Sequence, residues 1–168
     1  MSIVAYAIIA AVAIQRLAEV AYATRNTTRL KAQGAVEIGA RHYPLIVLLH
    51  TAWLGAMVVF LPKPTVIHFV PLALYLVIEV GRIWVLVTLG RFFTTRIITL
   101  AGAPIVRRGP YRFVRHPNYL VVVCEILVLP LVFGEVGVAI VFSLLNASVL
   151  ALRIWTEDAA LAARRSAP

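Results

Sequence analysis

Residues 66–89 read VIHFVPLALYLVIEVGRIWVLVTL. The run exceeds the about 20 apolar residues that carry a helix across a bilayer. Its ionisable residues, His68, Glu79 and Arg82, interrupt it singly. Leucine, valine and isoleucine fall all round the helical period instead of on one face. A helix apolar on every side has no face for water and suits lipid or a fully buried position. Pro62 and Pro64 stand before the run and Gly90 after it, residues that stop or end helices. This segment sets the fold class as a membrane protein.

Working outward, the same pattern predicts a helix from about Ile3 to Ala23, one from Tyr43 to Leu61, one from Pro117 to Phe133 and one from Val138 to Ile154. Proline at the start of the fourth suits a first turn, and that helix is short for a full span. Gly134-Glu135-Val136-Gly137 is a tight connection to the fifth. The chain is thus read as an all-α integral membrane protein of five transmembrane helices, with residues 1–168 as a single domain. Composition agrees: 62% of residues are hydrophobic, 14% are charged and mean hydropathy is +0.93, against about 45–50% and 25% for soluble domains. The formal charge of +9 does not argue for nucleic acid, because arginines between spans set orientation and meet anionic headgroups. Cys124 is the single cysteine, so no disulfide or zinc cluster can form within the chain, and no metal site is expected. The first segment carries Gln15, Arg16 and Glu19 and lacks a basic leader, so it is read as a retained helix and not a signal peptide.

The basic residues alternate from one connection to the next. Arg25, Arg29, Lys31 and Arg41 lie between the first two helices, and Arg91, Arg96, Arg107, Arg108, Arg112 and Arg115 between the third and fourth. Arg164 and Arg165 follow the fifth, whereas the other two connections hold only Lys63. Lysine and arginine accumulate on the cytoplasmic side. Five crossings then place the N-terminus outside, with the C-terminus and the long connection from Arg91 to His116 in the cytoplasm.

Charges within the spans need partners or a wet cavity. Arg16 and Glu19, Glu79 and Arg82, and Arg153 and Glu157 are spaced to share a helix face, while Glu125 has no local partner. The first two pairs are expected to neutralise themselves, and His50 to serve as a packed or hydrogen-bonded interhelical contact.

Chemistry is expected in the connection from Arg91 to Tyr119. A β-prone run, Ile97-Ile98-Thr99-Leu100, is followed by Gly102-Ala103-Pro104-Ile105-Val106, then Gly109-Pro110-Tyr111 and the cassette Arg115-His116-Pro117-Asn118-Tyr119. Its glycines and prolines make it a shaped loop. His116 stands at the N-terminal end of a helix, where the dipole favours an anionic group. The plain alternative is a basic loop that only meets lipid headgroups.

Gly109-Pro110-Tyr111, Arg115-His116-Pro117-Asn118-Tyr119 and Arg153 with Glu157-Asp158, in that order, resemble the isoprenylcysteine carboxyl methyltransferase family, small integral-membrane enzymes that use S-adenosylmethionine. The resemblance runs from about Leu89 to Leu161. Gln15-Arg16-Leu17 with Glu19, Arg25-Asn26 and His42-Tyr43-Pro44 resemble a bacterial branch of that family, some of whose members act on alkylpyrones. The resemblance implies a bacterial inner (plasma) membrane, a cytoplasmic cofactor-binding loop between the third and fourth helices, and a cofactor pocket at the cytoplasmic end of the fourth and fifth. Ala103, Pro104, Ile105 and Val106 would wrap the cofactor, with Tyr111 packed beside it and Arg96 as a polar contact. His116, Pro117, Asn118 and Tyr119 would line the pocket. Glu157 would hold a polar or cationic part of the cofactor and Arg153 would face the acceptor. The eukaryotic enzymes continue into a longer basic, aromatic tail where this sequence stops soon after Asp158, which puts a prenylcysteine substrate in question.

These readings give an O-methyltransferase whose lipophilic acceptor, a prenylated cysteine or an alkylpyrone for example, enters from the bilayer. An acidic acceptor would arrive ionised, whereas a phenol would need a base, for which Glu125 and His116 are the candidates. Two alternatives stand beside this reading. Membrane reductases of the sterol-reductase type share an Arg-His-Pro-Asn-Tyr element and use NADPH, but place a glutamate two residues after the tyrosine, where this chain has Val121. The other is a non-enzymatic membrane lipid-binding protein.

Overall fold

A computed structural model of the chain describes residues 2–103 and 106–165, with side chains to residue 159. The elements in order are α1 (Ser2–Ala32), β1 (Val36–Ile38), α2 (Tyr43–Val59), α3 (Phe69–Leu89), β2 (Ile97–Thr99), α4 (Pro117–Val132) and α5 (Val136–Arg165). Short 3-10 turns cover Ala40–His42, Gly90–Phe92 and Gly109–Arg112. β1 and β2 pair antiparallel, Glu37 opposite Ile98.

The fold is that of an integral membrane protein built of helices. Four helical stretches, residues 2–32, 40–59, 69–92 and 136–159, are long and apolar enough to cross a membrane. At 16 residues, α4 rises about 24 Å, short of a hydrocarbon core of about 30 Å. Its surroundings explain the composition. α4 packs between α3 and α5, and Val122, Ile126, Val128, Leu129 and Val132 join one core with Trp53, Met57, Tyr75 and the α1 residues Ala5, Ile9 and Val12. α3 instead exposes Leu74, Val77, Val80, Ile83, Trp84 and Val87. In water such a surface would be an association site; against lipid it is the ordinary exterior.

α1 runs nine residues past the expected end at Ala23, to Ala32, so Arg25, Arg29 and Lys31 ride on the helix and not in a loop. No glycine or proline interrupts residues 24–32. Tertiary contacts secure the extension: Asn26, almost fully buried, donates from Nδ2 to the carbonyls of Gly90 (3.1 Å) and Phe93 (2.9 Å), and Tyr22 stacks on Phe93 at 6.1 Å. α1 thereby grips the end of α3, where the backbone leaves its helix and has carbonyls to satisfy.

The charges inside the bundle pair differently from their spacing. Arg16 does bond Glu19, at 2.9 Å. Arg82, however, does not neutralise Glu79 on its own helix. Its guanidinium engages both oxygens of Glu125 on α4 and reaches Glu19 on α1 at 3.1 Å. Glu125, which looked unpartnered in sequence, is 1% exposed and also receives Arg16 at 2.7 Å. Glu79 accepts from Gln15 at 2.6 Å. Three helices are thus tied through one cluster. His50 bonds its own helix, Nδ1 lying 2.8 Å from the carbonyl of Ile46, and meets Trp53 edge-on at 6.3 Å.

Breaking a buried ion pair from one side costs about 3–5 kcal/mol because the other charge is stranded. Arg82→Met should therefore lower the thermal unfolding midpoint in detergent sharply. The double change Arg82→Met, Glu125→Leu should recover much of the loss. A double variant as unstable as the single one would show that packing, not charge, dominates there.

Glu135, in the α4–α5 connection, gives a pH signature. It is 5% exposed, and neither carboxylate oxygen has a hydrogen-bond partner among the described residues. Burial pushes its carboxyl up to about 7. The folded chain then holds this proton more tightly than the unfolded chain, so stability falls as pH rises from the ordinary carboxyl range to about 7. Glu135→Gln should raise the unfolding midpoint at pH 8 and leave it nearly unchanged at pH 4. Equal shifts at both pH values would refute this assignment.

Candidate active site

Where α3 ends, Gly90 turns the chain with a φ of 51°, and the following residues return through β2 over the end of the bundle. Thr94 Oγ1 donates to the carbonyl of Arg96 at 2.7 Å, rounding this turn. The later turn at Gly109–Arg112 docks on α3. Gly109 has a φ of 57°, and a Cβ there would collide with Thr88. A glycine is therefore required for conformation and space alike. Arg108 seals the contact by donating to the Thr88 carbonyl at 3.3 Å.

Between these returns and the ends of α4 and α5 lies an open-sided cleft. Its polar lining includes Thr95, Arg96, His116, Asn118, Tyr119, Arg153 and Glu157, with Tyr111, Phe92 and Leu89 among the larger apolar surfaces. α4 supplies His116 just before its first turn and Tyr119 within it, and their rings stack at 5.5 Å and 22°. The Tyr119 hydroxyl donates to Glu157 Oε2 at 2.6 Å. The His116 ring lies 3.8 Å from Glu157 and 3.5 Å from Asp158, while its buried Nε2 makes no hydrogen bond among the described residues.

Arg153 and Glu157 share a face of α5, as their spacing implies, yet they do not pair. Glu157 turns to Tyr119, and Arg153 Nη2 donates to the carbonyl of Thr95 at 2.8 Å. The Arg153 guanidinium stands 6.0 Å over the Tyr119 ring. It is 5% exposed and has no carboxylate within ion-pair distance among the described residues. A buried guanidinium left so is suited to an incoming anion. Burial first, and then the Glu157 charge, push the Tyr111 hydroxyl well above its usual range, keeping it a hydrogen-bond donor at neutral pH.

Of the residues expected at the site from sequence, Arg96, Tyr111, His116, Asn118, Tyr119, Arg153 and Glu157 are brought together around the cleft. Ala103 and Val106 are not among its described lining, and Pro104 and Ile105 lie outside the described residues. Pro117 is buried as the first residue of α4, where it sets the helix start. Glu125 is elsewhere: it sits six residues along α4 from Tyr119, held by Arg16 and Arg82. A carboxylate bound by two guanidiniums inside the bundle is not poised to take a proton at the cleft.

The sequence reading saw the β-prone run at 97–100 but missed the strand that pairs with it. Thr94, Thr95 and Ile97–Thr99 line the cleft, and β1 supports them from a segment that carried no strand signal beyond three residues, Val36–Ile38. Glu37 from β1 bonds Arg96 Nη1 at 2.5 Å and Lys31 Nζ at 2.5 Å. Burial favours the protonated form of Glu37, but these two hydrogen bonds outweigh it and hold the carboxyl below its usual range.

Known proteins resemble this chain in sequence. The sequence profile of the isoprenylcysteine carboxyl methyltransferase family matches residues 69–163. A Bacillus subtilis (strain 168) protein named "Uncharacterized protein YpbQ" is 38% identical over 92% of this chain and 94% of its own length. An "Uncharacterized protein" of Haemophilus influenzae is 26% identical over 82% of this chain and 83% of its own. No solved structure matches. The matched residues span every helix end that builds the cleft, from α3 through α5, and the chain is a membrane methyltransferase of the isoprenylcysteine carboxyl methyltransferase family.

Proposed function

We propose that this protein moves a methyl group from S-adenosylmethionine to an oxygen of a lipophilic acceptor, and that the cleft is where it does so. The observation that carries the reading is the separation of Arg153 from Glu157: an acidic and a cationic side chain, one turn apart on α5, each face the cleft without neutralising the other. The cofactor presents a flat purine, hydroxyls, a carboxylate and cationic centres, and the lining fits these. Tyr111, Phe92 and Tyr119 offer aromatic surfaces, Glu157 an anion, and His116 an unsatisfied buried nitrogen. When bound, S-adenosylmethionine supplies a methyl group already activated on a sulfonium.

The chain's own residues then have to bind, align and exclude water. Holding two reactants in line can contribute about 7–11 kcal/mol of barrier reduction. Glu157, anchored by Tyr119, is the counter-ion on the cofactor side. Arg153, anchored through the Thr95 carbonyl, is placed to hold an ionised carboxylate or enolate oxygen by charge-assisted hydrogen bonds. An acceptor that arrives ionised needs no proton removed, which accords with Glu125 being engaged deep in the bundle. Lateral entry from the bilayer suits an alkylpyrone or a prenylated cysteine alike.

The binding roles make a joint prediction. His116→Ala should weaken S-adenosylhomocysteine binding by calorimetry, since losing a hydrogen bond to a charged group costs about 1.5–3 kcal/mol. Arg153→Lys should lower methyl transfer to an acceptor found in a lipid extract, with cofactor affinity nearly intact. Exchanging the two charges (Arg153→Glu with Glu157→Arg) should leave the enzyme inactive. Near-normal turnover in the exchanged protein would show that neither charge has its own ligand in the cleft.

We further read α4 as a fifth, tilted span, with the N-terminus outside and the cleft on the cytoplasmic side of a bacterial inner membrane. The basic residues on the late turns of α1, around the cleft and at the end of α5 support this placement. Reporter fusions should give an external signal at the N-terminus and a cytoplasmic one at the C-terminus. The same side for both ends would eliminate the five-span arrangement.

A further inference from the structure

The segment between α1 and α2 lies outside the residues that the family profile matches, yet it closes on the cleft at three points. β1 pairs with β2 along the wall. Gly39, with a φ of 64°, is pressed so near α5 that a Cβ on it would stand 2.9 Å from Cγ2 of Thr156, the neighbour of Glu157. Tyr43, at the start of α2, brings its hydroxyl within 3.3 Å of Thr95 Oγ1. Thr95 is also the residue whose carbonyl holds Arg153.

Two arginines line the cleft, and this segment treats them unequally. Arg96 is engaged from behind. Its Nη1 donates to Glu37 at 2.5 Å, and its guanidinium lies 4.0 Å over the Tyr43 ring. Stacking covers its flat face, and the carboxylate, which Lys31 shares, offsets part of its charge. Arg153 donates to the Thr95 carbonyl and stands over the Tyr119 ring, but has no carboxylate within ion-pair distance among the described residues.

We infer that Glu37 and Tyr43 determine the charge specificity of the acceptor site: by engaging Arg96 they leave Arg153 to take the acceptor head by itself. The cleft therefore takes a singly charged oxyanion on an apolar chain and disfavours a dianion. The inference rests on the acceptor role proposed above for Arg153. A carboxylate or enolate is neutralised by one guanidinium. A phosphate monoester would keep a second charge in a partly desolvated cleft beside Glu157, where an unpaired charge is costly. Freeing Arg96 would supply the missing cation.

The test uses two soluble amphiphiles, octanoate and octyl phosphate, at pH 8, where the second is a dianion. Both are titrated by calorimetry into the full-length protein loaded with S-adenosylhomocysteine in a non-ionic detergent. The natural sequence should bind octanoate more tightly. Glu37→Gln should shift the ratio of the two affinities toward octyl phosphate by about tenfold, and Glu37→Asp, which retains the charge, should shift it less. Adding Arg96→Met to Glu37→Gln should return the ratio toward its original value, a reversal that mere loosening of the wall would not produce. If Glu37→Gln fails to fold, Tyr43→Leu should show the same direction of shift. An unchanged ratio in a folded Glu37→Gln protein overturns the inference, as does a natural protein that prefers octyl phosphate or binds neither. If the natural protein fails to bind S-adenosylhomocysteine, the cofactor reading falls, and the same ranking measured without it still decides the specificity.

Discussion

Arg82 and Glu125 meet inside a bundle whose outer surface is lipid-facing, and neither can be left alone there. Water is not at hand to solvate a stranded charge, so the pair, with Arg16 and Glu19 around it, admits few relative placements of α1, α3 and α4. That restriction propagates to the site. The end of α3 carries Gly90 and Phe93, which Asn26 of α1 grips through its side-chain amide. The start of α4 carries His116 and Tyr119. Once the cluster has set the three helices, the two sides of the cleft stand at a fixed separation.

On that frame the cleft divides charge by position. α5 contributes an acid and a base four residues apart that would ordinarily pair, but each has a better-placed partner. Tyr119 reaches Glu157, and the Thr95 carbonyl reaches Arg153. The competing bonds keep the two charges from neutralising each other although both line one pocket. The N-terminal half, outside the family profile, backs the cleft wall through β1 and Tyr43, which meet β2, Arg96 and Thr95.

Several features of this protein were fully determined by its sequence. The apolar runs, with prolines and glycines at their ends, specify helices for lipid because length and composition alone set whether a segment can satisfy its backbone within a bilayer. Pro117 marks the start of α4 and so puts His116 and Tyr119 at its mouth. The spacing of Arg153 and Glu157 places them on one face of α5, since helical periodicity is local. The family motifs pointed to the cleft lining for the same reason: Tyr111, His116, Asn118 and Tyr119 lie close together in the chain.

Only the tertiary structure decided which groups those residues meet. Spacing paired Arg82 with Glu79, yet the rotation of α3 turns Arg82 toward Glu125 and Glu19. Glu125 looked like a free carboxylate and is the most enclosed acid in the bundle. Arg96 lines the cleft, and its partner there is Glu37, 59 positions away. α1 looked complete at Ala23 and continues to Ala32 because Asn26 finds the end of α3. In each case the deciding bond joins elements distant in sequence. A side chain's local period fixes the face it occupies, but the partner on that face depends on how neighbouring helices rotate and at what depth they cross.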